Sequence, residues 1–239
     1  MKKHFFLFLL WTVTVATAHA QAPALSSIPK NHFGLPVVSS TALYQELVAQ
    51  DPKQELVELA SYIPGLVLDI RYATKDNLAG EPVYTLATAY ARKPVADALK
   101  KIQAELKPLG LGLKIYDGYR PYQVTVQFFE KVKDSVFVAS PRTGSRHNRG
   151  CAMDLTLIRL RDGKELKMPT AYDAFTPKAH SDYAKLPSKV KQNRDLLKQA
   201  MLRHGFQVYP DEWWHFDFKD WRSYPLMDIR FEDLKALKN

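Results

Sequence analysis

Two short segments concentrate side chains able to hold a metal ion and move a proton. The first runs Ser145-Arg146-His147-Asn148-Arg149-Gly150-Cys151-Ala152-Met153-Asp154 and sets His147 and Asp154 seven positions apart, with a glycine between them. An uninterrupted strand would send the two to opposite faces, because seven is odd. A helix would separate them by roughly 10 Å along its axis, which is awkward for one ion. A loop that carries His147 and bends at Gly150 into a strand carrying Asp154 resolves the geometry. Asp154 stands among Met153, Leu155 and Leu157, where an unpaired carboxylate is costly to bury. A metal ion would remove that cost, and so would backbone hydrogen bonds; the segment alone does not choose.

The second segment is Asp211-Glu212-Trp213-Trp214-His215-Phe216-Asp217. His215 as a ligand would complete a set of two His and one Asp and leave the fourth tetrahedral position of a Zn2+ ion to water, as catalytic sites do. Glu212 could then take a proton from that water during attack on a carbonyl and hand it to the leaving amine. A salt-bridged Glu and a core His beneath two tryptophans would give the same letters. Read alone, the second segment favours that plainer account; read with the first, it favours one zinc ion per chain.

Several elements must position these residues. Val67 to Tyr72 alternates like a strand, opened by Pro64-Gly65. Val95, Ala98, Leu99, Ile102 and Leu106 recur at helical spacing, closed by Pro108 and Gly110. Leu111 to Tyr116 reads as a strand ending in the turn Asp117-Gly118, and a second helix opens at Pro121 with Val124 and Phe128 inward. Met153 to Leu160 is strand-like. Ser188 is placed to cap a helix carrying Val190, Leu197, Ala200 and Met201, stopped by Gly205. Phe206 to Tyr209 and Trp213 to Phe218 close a β-rich C-terminal part. Helices and strands mix without a regular βαβ rhythm, which predicts an α+β fold: one domain, with a central, mostly antiparallel sheet flanked by helices.

Composition adds limits. The chain has 239 residues, 46% hydrophobic and 25% charged, and carries a formal charge of +9, which suits one globular domain. The basic residues are scattered without an interleaved aromatic stripe, so no nucleic-acid partner is expected. Cys151 is the single cysteine; no internal disulfide can form, and its apolar run predicts a buried, inert thiol. Lys2 and Lys3, the apolar run Phe5 to Ala18 and the small residues of Ala18-His19-Ala20 predict a signal peptide over residues 1–20 and a periplasmic or secreted protein, since the run is shorter than the roughly 20 residues of a membrane span. Residues 21–60 read as an N-terminal arm and wrapping segment, and 61–239 as the catalytic domain.

The pattern Ser-x-His-x-x-Gly-x-Ala-x-Asp followed by Glu-Trp-Trp-His resembles the zinc D,D-peptidases that share a fold with the hedgehog signalling domain, and within them the D-alanyl-D-alanine dipeptidase branch. Arg71-Tyr72-Ala73-Thr74, Asp117-Gly118-Tyr119-Arg120-Pro121, Asp154-Leu155-Thr156-Leu157 and Asn193-Arg194 extend the resemblance over roughly residues 62–218. It implies His147, Asp154 and His215 as zinc ligands, Glu212 as catalytic base and Arg120 as the oxyanion-stabilising residue. An ion pair with Asp117 is the structural alternative for Arg120. The resemblance further implies Ser145 at the substrate carboxylate, and Tyr72 and Asp173 near its free amine. Asn148 stands where a Ser is common, and Cys151 where a small residue is usual; neither change touches a ligand. The implied activity is hydrolysis of D-Ala-D-Ala in cell-wall turnover. The alternatives are a carboxypeptidase acting on longer wall peptides and a non-catalytic zinc module. A segment Leu166–Leu186 folded over the metal would favour the dipeptidase.

Overall fold

Alternating and helical apolar patterns resolve, in the computed structural model, into a sheet that carries the site and helices that cover it; residues 28–132 and 138–238 are described. In chain order the strands are β1 (Val37–Val38), β2 (Leu56–Glu58), β3 (Val67–Leu68), β4 (Tyr90–Arg92), β5 (Leu111–Asp117), β6 (Ala152–Arg159), β7 (Phe206–Tyr209), β8 (Glu212–Phe218) and β9 (Leu226–Met227). The helices are α1 (Thr41–Gln50), α2 (Leu59–Tyr62), α3 (Lys93–Leu106), α4 (Tyr122–Val132), α5 (Ser188–Arg203) and α6 (Phe231–Ala236).

Five strands form the central sheet in the order β3-β5-β6-β8-β7. Only the β3–β5 pairing is parallel, so the fold is α+β with a mostly antiparallel sheet. Strand β6 lies at its centre and is buried from Ala152 to Ile158. Both of its faces are therefore covered, which is why its sequence reads as a nearly continuous apolar run around Asp154. Helix α3 contributes Val95, Leu99, Ile102 and Leu106 to the core and packs on β5, while α5 packs on β6, β7 and β8. The left-handed Gly110 (φ +70°) turns the chain out of the short 3-10 turn that follows α3 and into β5, a conformation that costs glycine nothing.

Two expectations are corrected. Val67 to Tyr72 is not one strand: pairing stops at Leu68, and Arg71–Ala73 forms a 3-10 turn. The Arg71 carbonyl accepts from Thr74 Oγ1 (2.8 Å), and Asn77 Nδ2 binds the carbonyls of Thr74 (2.6 Å) and Glu81 (2.9 Å). Local side-chain bonds of this kind compete with a β-ladder. Ser188 does not cap α5; it is the first helical residue, and Pro187, with no side-chain acceptor, occupies the N-cap.

The predicted export segment, residues 1–20, and the arm up to residue 27 lie outside the described residues. From Ile28 onward this region is tied to the body. Strand β1 pairs in parallel with β9, β2 pairs with β4, and Leu56 N donates to Tyr44 Oη at 2.8 Å. Among the described residues, no helix is long and apolar enough to cross a membrane.

Candidate active site

Strand register brings the chemistry to one level of the sheet. Asp154 on β6 pairs directly with His215 on β8 and, after a shift between Ile115 and Asp117, with Asp117 at the end of β5. His147 enters from a 3-10 turn, His147–Arg149, which ends at the left-handed Gly150 (φ +68°) just before β6. This is the loop, bend and strand that the odd spacing demands. A Cβ at Gly150 would lie 2.7 Å from Leu56 Cδ2, so both backbone conformation and space require glycine here. Asn148 is fully buried and anchors the turn. Its Nδ2 donates to the Arg120 carbonyl (2.9 Å) and Thr125 Oγ1 (2.8 Å), and its Oδ1 accepts from Ser145 N (2.7 Å).

One potential ligand atom from each of His147, Asp154 and His215 lies within 4.8 Å of the other two. Their outer hydrogen bonds set the tautomers. His147 Nδ1 is 2.8 Å from the Gly118 carbonyl, so Nδ1 carries the proton and Nε2 faces the centre. His215 Nε2 is 3.0 Å from Asp217 Oδ1, which leaves Nδ1 facing inward, 3.2 Å from His147 Nε2. Asp154 Oδ1 comes within 3.0 Å of His215 Nδ1, yet it is buried and accepts no aligned hydrogen bond. Two imidazole lone pairs and an orphaned carboxylate oxygen converging on one point repel one another unless a cation lies between them. The electrostatics show the same demand for positive charge, which a proton on His215 meets when no ion is bound. Burial works against the charged form of His215, but the Asp154 and Asp217 carboxylates outweigh it and push the imidazole up to about 10. Burial likewise opposes the Asp154 carboxylate, and the two imidazoles more than compensate, holding it well below the usual range. The donor set, nitrogen from two His and oxygen from one Asp, fits zinc.

Around this centre lies a cavity of about 440 Å³, lined by Glu212, Arg120, Ser145, Tyr72 and Asp173 as well as the three residues above. All eight residues singled out in the sequence therefore meet in one place. Glu212, at the start of β8, has its Oε2 3.7 Å from His215 Nδ1, and burial lifts its carboxyl to about 7. Arg120 donates from Nε (3.0 Å) and Nη2 (2.8 Å) to Asp117 Oδ2 while lining the cavity. The structural alternative for Arg120 and its place at the site are thus both met: the ion pair fixes a guanidinium that the cavity still reaches. Tyr72 Oη donates to Asp173 Oδ2 at 3.2 Å. Burial, with Asp154 nearby, pushes the Asp173 carboxyl well above the usual range. Asp173 is also the one non-glycine residue among those described with φ in the left-handed region, +58°, an uncommon conformation that argues for local constraint.

Three contributors escape the sequence. Tyr172 donates to Asp154 Oδ2 (3.0 Å) and stacks on Tyr116 with ring centroids 4.5 Å apart. With Trp213 Nε1 donating to Thr170 Oγ1 (2.9 Å) and Phe175 lining the cavity, these contacts fold the segment after Leu166 against the site. Asn148 reads only as a small departure from a motif, and its buried amide could not be foreseen. Arg146 lies on the cavity wall with Nη1 2.7 Å from Asp217 Oδ2; its place beside His147 is the only hint in the sequence. Asp217, ambiguous by sequence, is the partner of His215. Cys151 is buried, its thiol pushed up to about 12 chiefly by burial, and His204 pairs with Glu105 at 2.8 Å, away from the cavity.

A sheet that presents two His and one Asp beside a half-buried Glu, on the wall of a cavity, has the apparatus of a metal-dependent hydrolase. The chain belongs to the D-Ala-D-Ala dipeptidase family of peptidases, whose model matches residues 52–234. It is 36% identical over 177 residues to a D-alanyl-D-alanine dipeptidase of Escherichia coli K12, covering 74% of this chain and 91% of that one. It is 33% identical to a D-alanyl-D-alanine dipeptidase of Enterococcus faecalis, covering 70% and 92% respectively. Among solved structures, the LdcB LD-carboxypeptidase aligns over 87% of this chain and 92% of its own, with 21% identity and a TM-score of 0.38.

Proposed function

We propose that this peptidase hydrolyses the dipeptide D-Ala-D-Ala to free D-alanine, with one zinc ion held by His147, Asp154 and His215. When bound, zinc supplies Lewis acidity and a water of lowered pKa. The protein's own groups do the rest. Glu212 accepts the proton of the attacking water and delivers it to the leaving amine. Arg120, held by Asp117, offers its guanidinium to the charge developing on the attacked carbonyl oxygen. Asp173 and Tyr72 receive the substrate ammonium, and Ser145 donates to its carboxylate.

The observation that carries this reading is the segment Thr170–Phe175 folded onto the site, with the half-buried carboxyl of Asp173 in the cavity wall. A half-buried acid whose charged form is disfavoured gains most from a fixed ammonium and penalises a longer chain that lacks one. The preference for D residues is supported by the family and its relatives. Export is supported by the composition of residues 1–20 and places the reaction outside the cytoplasm, in wall-peptide turnover; unprocessed protein in the cytosol would refute it.

The deciding experiment offers D-Ala-D-Ala, L-Ala-L-Ala and a muramyl pentapeptide to the zinc-loaded protein and measures released D-Ala, with Glu212→Ala as control. Cleavage of the D,D-dipeptide alone, lost in the control, is expected. Cleavage of the pentapeptide instead would make this a carboxypeptidase, and zinc binding without turnover would leave a binding module.

A further inference from the structure

We propose that Arg146 is a specificity-determining residue that reads the free C-terminal carboxylate of the substrate; the inference rests on the dipeptidase reading above. Arg146 is 37% exposed at its side chain and lines the cavity. Its Nη1 is held by Asp217 Oδ2 at 2.7 Å, and among the described residues this is the side chain's only hydrogen bond. The Nε–Nη2 edge therefore keeps its donors, and that edge has the fork geometry that pairs two-pronged with a carboxylate. The guanidinium is also held in place, since it lies over the Trp221 ring with its carbon 5.0 Å from the centroid.

The neighbours favour an anion. Arg149 and Arg222 approach the same indole, at 5.4 and 4.2 Å, so three guanidiniums share one ring, and Arg146, Arg149 and the ring itself line the cavity. Ser145 accepts from His147 N through its hydroxyl oxygen (3.2 Å) and retains its own O–H as a donor, one residue from Arg146. At the other end of the contact chain stands an acid: Asp173 adjoins Tyr172, Tyr172 bonds Asp154, Asp154 pairs with His215, His215 bonds Asp217, and Asp217 bonds Arg146. The three candidate ligand residues thus lie, in bonding order, between the Asp173 carboxyl and the Arg146 guanidinium. A zwitterionic dipeptide matches that polarity with its ammonium toward Asp173 and its carboxylate toward Arg146.

Because Arg146 also touches Asp217, the test must separate substrate reading from positioning of His215. The zinc-loaded wild type, Arg146→Gln and Arg146→Lys are compared on D-Ala-D-Ala and on its C-terminal amide, with kcat and KM for each, bound zinc assayed, and binding of both compounds measured by calorimetry. Wild type is expected to favour the acid over the amide by about 100-fold, and Arg146→Gln to lose about 10- to 100-fold in KM for the acid alone. Arg146→Lys should recover part of the preference. Equal losses on acid and amide, or an acid preference left intact in Arg146→Gln, would overturn the proposal. Should wild type cleave neither compound, the dipeptidase reading fails, and the acid-to-amide ratio in calorimetry still decides: a ratio unchanged by Arg146→Gln refutes the role, and a collapsed ratio upholds it.

Discussion

Asp154 and His215 sit directly opposite each other on neighbouring antiparallel strands, carboxylate Oδ1 to imidazole Nδ1 at 3.0 Å. The sheet's own register therefore places two of the three candidate ligand residues, and only His147 depends on a turn. Strands buried on both sides resist register slips, because a slip of one residue would invert every side chain. The site inherits that rigidity.

Replacement of Glu212 tests the proton relay. Glu212→Gln should lower kcat by about 10²–10⁴-fold with bound zinc unchanged by elemental analysis. A variant retaining more than a tenth of the activity would assign the base elsewhere.

The pH profile follows from the same side chain. Burial raises the Glu212 carboxyl to about 7, while His215, His147 and Arg120 pull the other way, and a divalent cation would add to that pull. A general base must be ionised to act, so kcat/KM should rise with pH along a limb centred between the ordinary carboxylate value of about 4.3 and about 7. An unchanged limb in Glu212→Gln would assign it to another group.

Asp217 should control metal retention. It accepts from His215 and is itself bonded by Arg146. Asp217→Asn should weaken zinc binding by about 10- to 100-fold, read by competition with a chelator; unaltered affinity would confine Asp217 to a structural role.

Asp173 should determine the demand for a free amine. Asp173→Asn should raise KM for D-Ala-D-Ala by about 10- to 100-fold and leave the weak cleavage of N-acetyl-D-Ala-D-Ala nearly untouched. Equal losses on both substrates would instead indicate collapse of the segment around Phe175.

Gly150→Ala should destabilise the fold on the order of 2–4 kcal/mol, combining the left-handed backbone with a clash against Leu56. Gly34→Ala is the control: φ there is +79° with nothing within 4 Å of the added carbon, so only the backbone cost of about 1–2 kcal/mol remains. Thermal or denaturant unfolding of the two variants should differ accordingly.

Much of this site could be read from the chain. The odd spacing of His147 and Asp154 demanded a bend, and Gly150 supplied the only residue between them free to make it. Helices α3 and α5 announced themselves through their apolar periods. What stayed hidden depends on partners distant in sequence. Nothing near Asn148 reveals that its amide will meet Thr125, and nothing near Tyr172 reveals its bond to Asp154. Asp173 looks like any loop aspartate until the fold sets it in the cavity wall. Val67 to Tyr72 misled because alternation records apolar spacing and is blind to the turn that Thr74 and Asn77 hold in place.

His147 and His215 stand 68 residues apart in the chain while their ring nitrogens lie 3.2 Å apart. Any ion bound to both closes a loop whose ends the unfolded chain would bring together only at an entropic cost of about 4 kcal/mol. In a protein whose lone cysteine can form no internal bridge, the metal centre is then also a reversible crosslink. A chelator would then take away the ion and, by the same act, unfasten the His147 turn from β8.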